Sequence, residues 1–359
     1  MTRVLMCSND LTFAPALTQA YQARGYDVTV GLDGLDAQPD AYDVVHLHWP
    51  EELVGWRSGA SDPARTRAAL EKLDRWRAHA VLVATVHNLV PHNTERIDGP
   101  EAAYFRDFYE RIDLICHYSG YSRRRYAEVY PSLDAGKQVV QPLNSFAHLL
   151  PLGTGRAAAR QALGLGPDEP VFAVFGALRK QAEAALLQKA WSNVKRRDAR
   201  LLLASRPNWA GVGRLERIIG KVRRKLWLRD PRIVQPGFHP DDAGLVRLLE
   251  AADAVLVPRL GQHLNSGLVP LAFTFGTAVI APDNGPNGEI IPLPANELYA
   301  PGDATAFARA IERQAAKPAD ETRAANLAHM TRMGWGNILD FLWPRVIEAA
   351  KAKGLPAPS

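Results

Sequence analysis

Between positions 262 and 283 the chain reads QHLNSGLVPLAFTFGTAVIAPD, a polar loop, a short helical stretch and an apolar strand in that order. The order suits an anion. Asn265 and Ser266 have side chains that cap helix N-termini, Gly267 lets a ligand approach the backbone, and Gly276 suits the stop before residues 278–281. Amides of the first turn then lack helical acceptors and carry the positive end of the helix dipole, an arrangement that can hold a diphosphate. Leu268, Leu271, Ala272 and Phe275 also recur at helical spacing, which describes an ordinary helix packed on a sheet equally well.

Other reactive residue types fall just after apolar runs. His46-Leu47-His48-Trp49-Pro50-Glu51-Glu52 is one such stretch. His46 and His48 share a strand face, as a metal pair would, but no third ligand at obvious spacing accompanies them and metal is not expected. Trp49 offers an aromatic face to a sugar ring. Glu51 offers a carboxylate that can accept a hydroxyl proton, or simply caps the loop. A second stretch, Thr85-Val86-His87-Asn88-Leu89-Val90-Pro91-His92-Asn93, crowds donors and acceptors into a proline-containing loop. His87 stands where the strand should end and is the stronger candidate to touch a substrate, with His92 bracing the loop. His117-Tyr118-Ser119 follows the next strand and would line the same rim.

The second half supplies cations. Arg179 and Lys180 end the run Gly176-Ala177-Leu178-Arg179-Lys180, Arg206 follows a later strand, and His263 precedes the anion helix. Point charges at a diphosphate stabilise the negative charge of a leaving group and need no metal or other cofactor to do so. Solvated surface is the other reading of these three cations.

These residues need a scaffold that presents strand ends. Short apolar runs at 4–6, 27–30, 43–47, 80–86, 113–117 and 138–141 alternate with amphipathic stretches near 14–24, 64–78, 101–111 and 121–129. A second series of runs lies at 171–175, 200–204, 232–235, 253–257 and 278–281, after a Gly- and Ala-rich segment at 151–166. Such alternation predicts α/β architecture with parallel sheets covered by helices. Its 359 residues exceed the usual capacity of one core, so two Rossmann-like halves are expected, with ligands at the carboxyl ends of the strands and a cleft between the halves. Neither half has a GxGxxG loop after its first strand, which argues against nicotinamide and flavin chemistry.

Composition narrows the setting. The chain is 47% hydrophobic and 23% charged, and its two cysteines, Cys7 and Cys116, sit in strand-like runs, so a cytoplasmic protein without disulfides or a cysteine-built zinc site is expected. The first residues lack a signal-peptide pattern, and no apolar run approaches the roughly 18 residues that a membrane span needs. The net charge of +5 is unevenly spread. Residues 214–229 read as a basic amphipathic helix that an anionic membrane surface could attract, although its apolar stripe could instead pack on a sheet. No recognised nucleic-acid module accompanies the charge, so nucleic acid is not an expected partner.

Taken together, the strand ending in His46-Leu47-His48-Trp49-Pro50-Glu51, the strand running into His87-Asn88-Leu89-Val90-Pro91-His92, and the late Asn265-Ser266-Gly267 helix resemble GT-B glycosyltransferases. More narrowly, they are similar to bacterial exopolysaccharide enzymes of the GDP-mannose:glycolipid 4-β-mannosyltransferase (xanthan) type. The likeness runs in order over most of the chain. It implies an acceptor-binding Rossmann-like domain at 1–150, a nucleotide-sugar-binding domain at 151–334, and a last helix in 335–359 that crosses back to the first, the two parallel sheets facing across a cleft. It also implies Arg179, Lys180, Arg206, His263, Asn265, Ser266 and Gly267 at the donor. His48, Trp49, Asn88, His92 and His117 would lie toward a lipid-linked or oligosaccharide acceptor, and His87 near the transferred sugar.

One departure bears on mechanism. Many retaining GT-B enzymes carry a pair of glutamates where this chain has His263 and Leu271, so an inverting reaction is the better fit, with His87 or Glu51 as the base. The expected reaction is transfer of a sugar, mannose from GDP-mannose first, on the inner face of a membrane. A nucleotide-sugar epimerase and a non-catalytic sugar-nucleotide or glycan-binding protein are the alternatives.

Overall fold

The structure is a computed structural model that describes residues 1–91, 97–141, 144–151, 153–205, 213–237, 240–261 and 263–358, the side chains of Arg57 and Ser58 excepted. It divides into two units: Met1–Asn144 together with Met333–Ser359, and Ser145–Arg332.

In the first unit, runs such as VLMC, VVHL and VLVAT lack the polar alternation of a half-exposed strand, and they form strands buried on both faces. The six strands are β1 (Arg3–Cys7), β2 (Asp27–Val30), β3 (Val44–Leu47), β4 (Val81–Thr85), β5 (Leu114–His117) and β6 (Gln138–Val140). All pair in parallel in the order β2-β1-β3-β4-β5-β6. The chain leaves β1 toward β2 on one side and continues from β3 on the other, so β1 and β3 flank a topological switch point. The helix Trp335–Ala352 belongs to this unit and buries Ile338, Leu339, Leu342, Trp343, Val346 and Ala350 in its core. Trp343 stacks on Tyr26 with ring centroids 4.4 Å apart, and Lys353 closes the helix end with a 2.6 Å ion pair to Asp113.

The second unit repeats the plan with a different winding. Its strands are β7 (Val171–Phe175), β8 (Arg200–Ala204), β9 (Ile233–Val234), β10 (Ala254–Leu256), β11 (Ala278–Pro282) and β12 (Glu297–Tyr299), parallel in the order β12-β11-β10-β7-β8-β9. Counted from β7 this is the 3-2-1-4-5-6 Rossmann order, with its switch point between β7 and β10. The sequence reading misses β12, whose three residues Glu-Leu-Tyr are too few to show a period. Bracing gathers at the amino ends of β7 and β10. There Arg160, only 2% exposed, forks onto Asp253 at 2.9 Å, and the same carboxylate accepts the amide of Val171 at 2.8 Å. The opposite, carboxyl ends are left to loops. Among the described residues no helix is long and apolar enough to cross a membrane.

Candidate functional site

At the first unit's switch point, three loops bring aromatic and imidazole rings together. His46, inside β3, is fully buried and held at both nitrogens: Nδ1 lies 3.0 Å from the Tyr21 hydroxyl and Nε2 2.9 Å from Thr85 Oγ1. Burial drives its pKa well below the ordinary histidine value. It is a satisfied core residue. His48 follows two positions on, its Nδ1 3.2 Å from His87 Nε2, and burial lowers its pKa to about 4, so the ring is neutral near pH 7. His87 stacks on Trp49 with centroids 3.9 Å apart and an interplanar angle of 16°, and Phe13 packs against it at 4.9 Å.

The proton between His48 and His87 decides what His87 can do. If His87 Nε2–H donates, its Nδ1 carries a lone pair and can accept a proton. If His48 Nδ1–H donates, His87 Nδ1 is itself protonated and can only donate. A neutral His48 permits either tautomer, which makes the pair competent for acid or base work. Asp10, after β1, is close enough for its carboxylate to favour the charged form of His48. Its Oδ2 is in turn fixed by the Phe13 amide at 2.6 Å.

Three expected contact residues, His48 among them, are buried rather than open to a ligand. Glu51, expected to accept a hydroxyl proton, is fully buried in the 3-10 turn Pro50–Val54, near Tyr104, Tyr109 and Tyr126. The Tyr104 hydroxyl donates to the Pro50 carbonyl at 2.7 Å and ties down the turn that carries the carboxylate inside. His117, expected on the rim, is also fully buried, with Nδ1 3.0 Å from Ser122 Oγ and its pKa lowered to about 3 by burial. It fixes the start of the helix Gly120–Val129. Asn88 is half-buried, and its carbonyl accepts the Tyr126 hydroxyl. His92 and Arg206 lie outside the described residues.

In the second unit the β7 loop exposes Arg179 and Lys180. Its path is set by Glu183 in the helix Gln181–Asn193, whose Oε2 accepts the amides of both residues at 2.8 and 3.2 Å. Glu183 is itself buried and pairs with Arg259 at 3.4 Å. Phe175, Leu178, Glu183, Arg259 and Leu268 line one small cavity, so the β7 loop, the β10 loop and the start of the helix Leu268–Thr274 converge. Burial is the largest cause that lowers the Arg259 pKa, and the Arg179 cation lowers it further. The same two cations reinforce the burial that holds His263 neutral, with a pKa of about 4. His263 lies beside Asn287, and the loop carrying Gly285 crosses it closely enough that a Cβ there would meet the His263 carbonyl at 2.9 Å.

The anion helix departs from expectation at its cap. Gly267 is the N-cap, with no side-chain cap hydrogen bond, so Asn265 and Ser266 stand half-buried in the loop before it. Pro270 further removes one amide from the first turn. Gly276, at φ +71°, ends the helix as expected, with its amide on Phe273 and that of Thr277 on Ala272. Sequence reasoning overlooked Asp10, Phe13 and Arg259. Asp10 and Arg259 each come three residues after a strand, the signal that singled out His87 and Arg179, whereas Phe13 is the N-cap of the helix Ala14–Ala23.

Residues 169–317 match the family model described as Glycosyl transferases group 1. A curated relative, the D-inositol 3-phosphate glycosyltransferase of Nocardia farcinica, is 30% identical over 261 residues, 69% of this chain and 52% of the relative. The chain thus spans about half the length of the first curated relatives it matches. Among solved structures, Anabaena HepE in complex with UDP and glucose superimposes with a TM-score of 0.59 at 13% identity, covering 99% of this chain and 98% of that one. Sucrose-phosphate synthase from Thermosynechococcus elongatus gives 0.64 at 17% identity, covering 98% of each. At such identities the likeness is one of fold, and the fold is GT-B, built from two Rossmann-like units.

Proposed function

We propose that this chain is a glycosyltransferase that moves a hexosyl group from a nucleoside-diphosphate sugar, held by the second unit, to an acceptor hydroxyl held by the first. The carrying observation is the gathering of Arg179, Arg259 and neutral His263 about the second unit's switch point, inside a stretch that matches the group 1 glycosyl transferases. Cations fixed before the reaction stabilise a leaving diphosphate without reorganising as its charge grows. His263, being neutral, serves there as a hydrogen-bonding group rather than a third cation.

The reaction we favour inverts the anomeric carbon. The acceptor hydroxyl gives its proton to Nδ1 of His87, the freed oxygen attacks the anomeric carbon, and the bond to the diphosphate oxygen breaks with its electrons going to the leaving group. This step uses the tautomer in which His87 Nε2–H donates to His48 Nδ1 and leaves His87 Nδ1 unprotonated, and Trp49 covers the ring. Mannose from GDP-mannose is the donor to test first, on the residue patterns around His48 and His87. Candidate acceptors are a lipid-linked or polysaccharide hydroxyl and, from the names of the curated relatives, inositol 3-phosphate. Buried free Cys7 and Cys116 suit the cytoplasmic setting of this reading.

Incubating the chain with GDP-mannose and UDP-glucose, with and without each acceptor, separates the alternatives. Acceptor-dependent release of nucleoside diphosphate supports transfer, a changed sugar without acceptor would mean an epimerase, and binding without turnover a sugar-nucleotide binder. Because side-chain cations carry the charge, activity is expected to persist in excess EDTA. Abolition that magnesium or manganese reverses would overturn that expectation.

Gly267→Val tests the phosphate end of the donor. A Cβ at Gly267 meets nothing nearer than Phe146 Cζ at 3.5 Å, an ordinary contact, so the fold should tolerate the change. Added bulk at the helix start should still obstruct a diphosphate and weaken GDP or UDP binding about tenfold or more. Equal affinities of variant and wild type by calorimetry would move the diphosphate elsewhere.

A further inference from the structure

The helix Arg214–Trp227 turns its apolar face to water. Leu215 is 71% exposed, Ile218 52%, Val222 54% and Leu226 54%, and their spacing puts all four on one stripe. This excludes the reading in which the stripe packs on the sheet. The helix is attached through other residues: Trp227 packs against the second unit's core, and Arg224 Nη2 reaches the Ser205 carbonyl at 3.4 Å. On a helical wheel these two lie on roughly the opposite side from the stripe. A groove of about 780 Å³ separates much of the helix from Gln181–Asn193, so among the described residues packing within the unit does not cover the stripe.

Charge identifies what would cover it. Exposed Arg214, Lys221 and Lys225 run along one edge of the stripe and exposed Arg223 along the other, while Glu216 is the single acid within the helix. A second copy pairing through the same face would set cation against cation across a two-fold axis. Nucleic acid would meet cations only at the margins and aliphatic side chains at the centre, and among the described residues of the helix no exposed aromatic is offered to stack on a base. An anionic bilayer matches both parts, since acyl chains accept the stripe and headgroup phosphates accept its basic edges.

We propose that the helix Arg214–Trp227 docks the chain on an anionic membrane surface, lying in the interface with Leu215, Ile218, Val222 and Leu226 among the acyl chains. Co-sedimentation of the full chain with vesicles of about three parts phosphatidylglycerol to seven parts phosphatidylcholine tests this directly. Binding is expected to be strong at low salt, weaker as the screening length shortens to about 8 Å at physiological ionic strength, and weak on pure phosphatidylcholine. Lys221→Gln with Lys225→Gln should lower the partition coefficient roughly 20- to 30-fold. Leu215→Ser, Ile218→Ser and Val222→Ser together should lower it about a hundredfold or more.

All five altered side chains are exposed, so unchanged thermal melting is expected of both variants. Failure to bind anionic vesicles, equal binding to neutral ones, or retention of binding by the triple variant would overturn the proposal. So would self-association of the wild type that the triple variant abolishes, or tighter binding to single-stranded RNA than to vesicles. The readout needs no sugar transfer, so its failure is separable from failure of the proposed reaction.

Discussion

His87→Ala is expected to lower turnover by roughly two to four powers of ten while the dissociation constant of the nucleotide donor barely moves, as loss of proton transfer requires. The ring is positioned for that role: Trp49 lies flat on it and His48 Nδ1 meets its Nε2 at 3.2 Å. Removing it also leaves a gap under Trp49, so His87→Asn, which keeps polarity and more of the volume than Ala without the base, should show the same loss with a smaller change in melting temperature. Glu51→Gln is expected to act differently. Its carboxylate is fully buried among tyrosines, and neutralising it should change stability more than turnover. If the loss of turnover followed Glu51 while both His87 variants stayed near wild type, the base would be Glu51. Near wild-type turnover in all three would remove proton transfer from this part of the first unit.

Much of this arrangement was legible because parallel strands buried on both faces leave unbroken apolar runs, and VLMC, VVHL, VLVAT and VFAVF could hardly be read as anything else. The placing of reactive residues after strands follows from the same fact, since side chains within such strands are committed to the core. That rule is what singles out His87 and Arg179 as candidates. It failed where a second, local rule competes. Glu51 follows β3 but sits in a tight turn begun by Pro50, whose carbonyl is tied down by Tyr104 at 2.7 Å, and the turn carries the carboxylate inside. His117 is the last residue of β5 and points into the core, where a hydroxyl five residues ahead receives it. Asn265 and Ser266 have the chemistry of caps, yet the helix begins one residue later, at a glycine. Arg259 follows β10 and was overlooked although it carries the same signal. Its meaning comes from Glu183, 76 positions earlier in sequence and 3.4 Å away.

That pairing decides which cation should be tested. Arg259→Ala would take from the buried Glu183 carboxylate its ion-pair partner and leave it only backbone amides, a loss of about 1–3 kcal/mol, so lost activity could reflect lost structure. Arg179 and Lys180 give a cleaner answer. Their side chains are exposed, while the loop's path depends on their backbone amides, both bound by Glu183. Replacing both with alanine therefore leaves the loop in place and removes only the charges. If those charges face a leaving diphosphate, kcat/KM should fall by roughly two to three powers of ten, about 3–4 kcal/mol of transition-state stabilisation. Were they ordinary solvated cations, stability would change by about 0.5 kcal/mol or less and turnover hardly at all. Steady-state kinetics with a saturating acceptor, beside a melting curve for the double variant, distinguishes the two: near wild-type kcat/KM in a normally folded protein would return Arg179 and Lys180 to the solvated surface and leave Arg259 to carry the diphosphate charge.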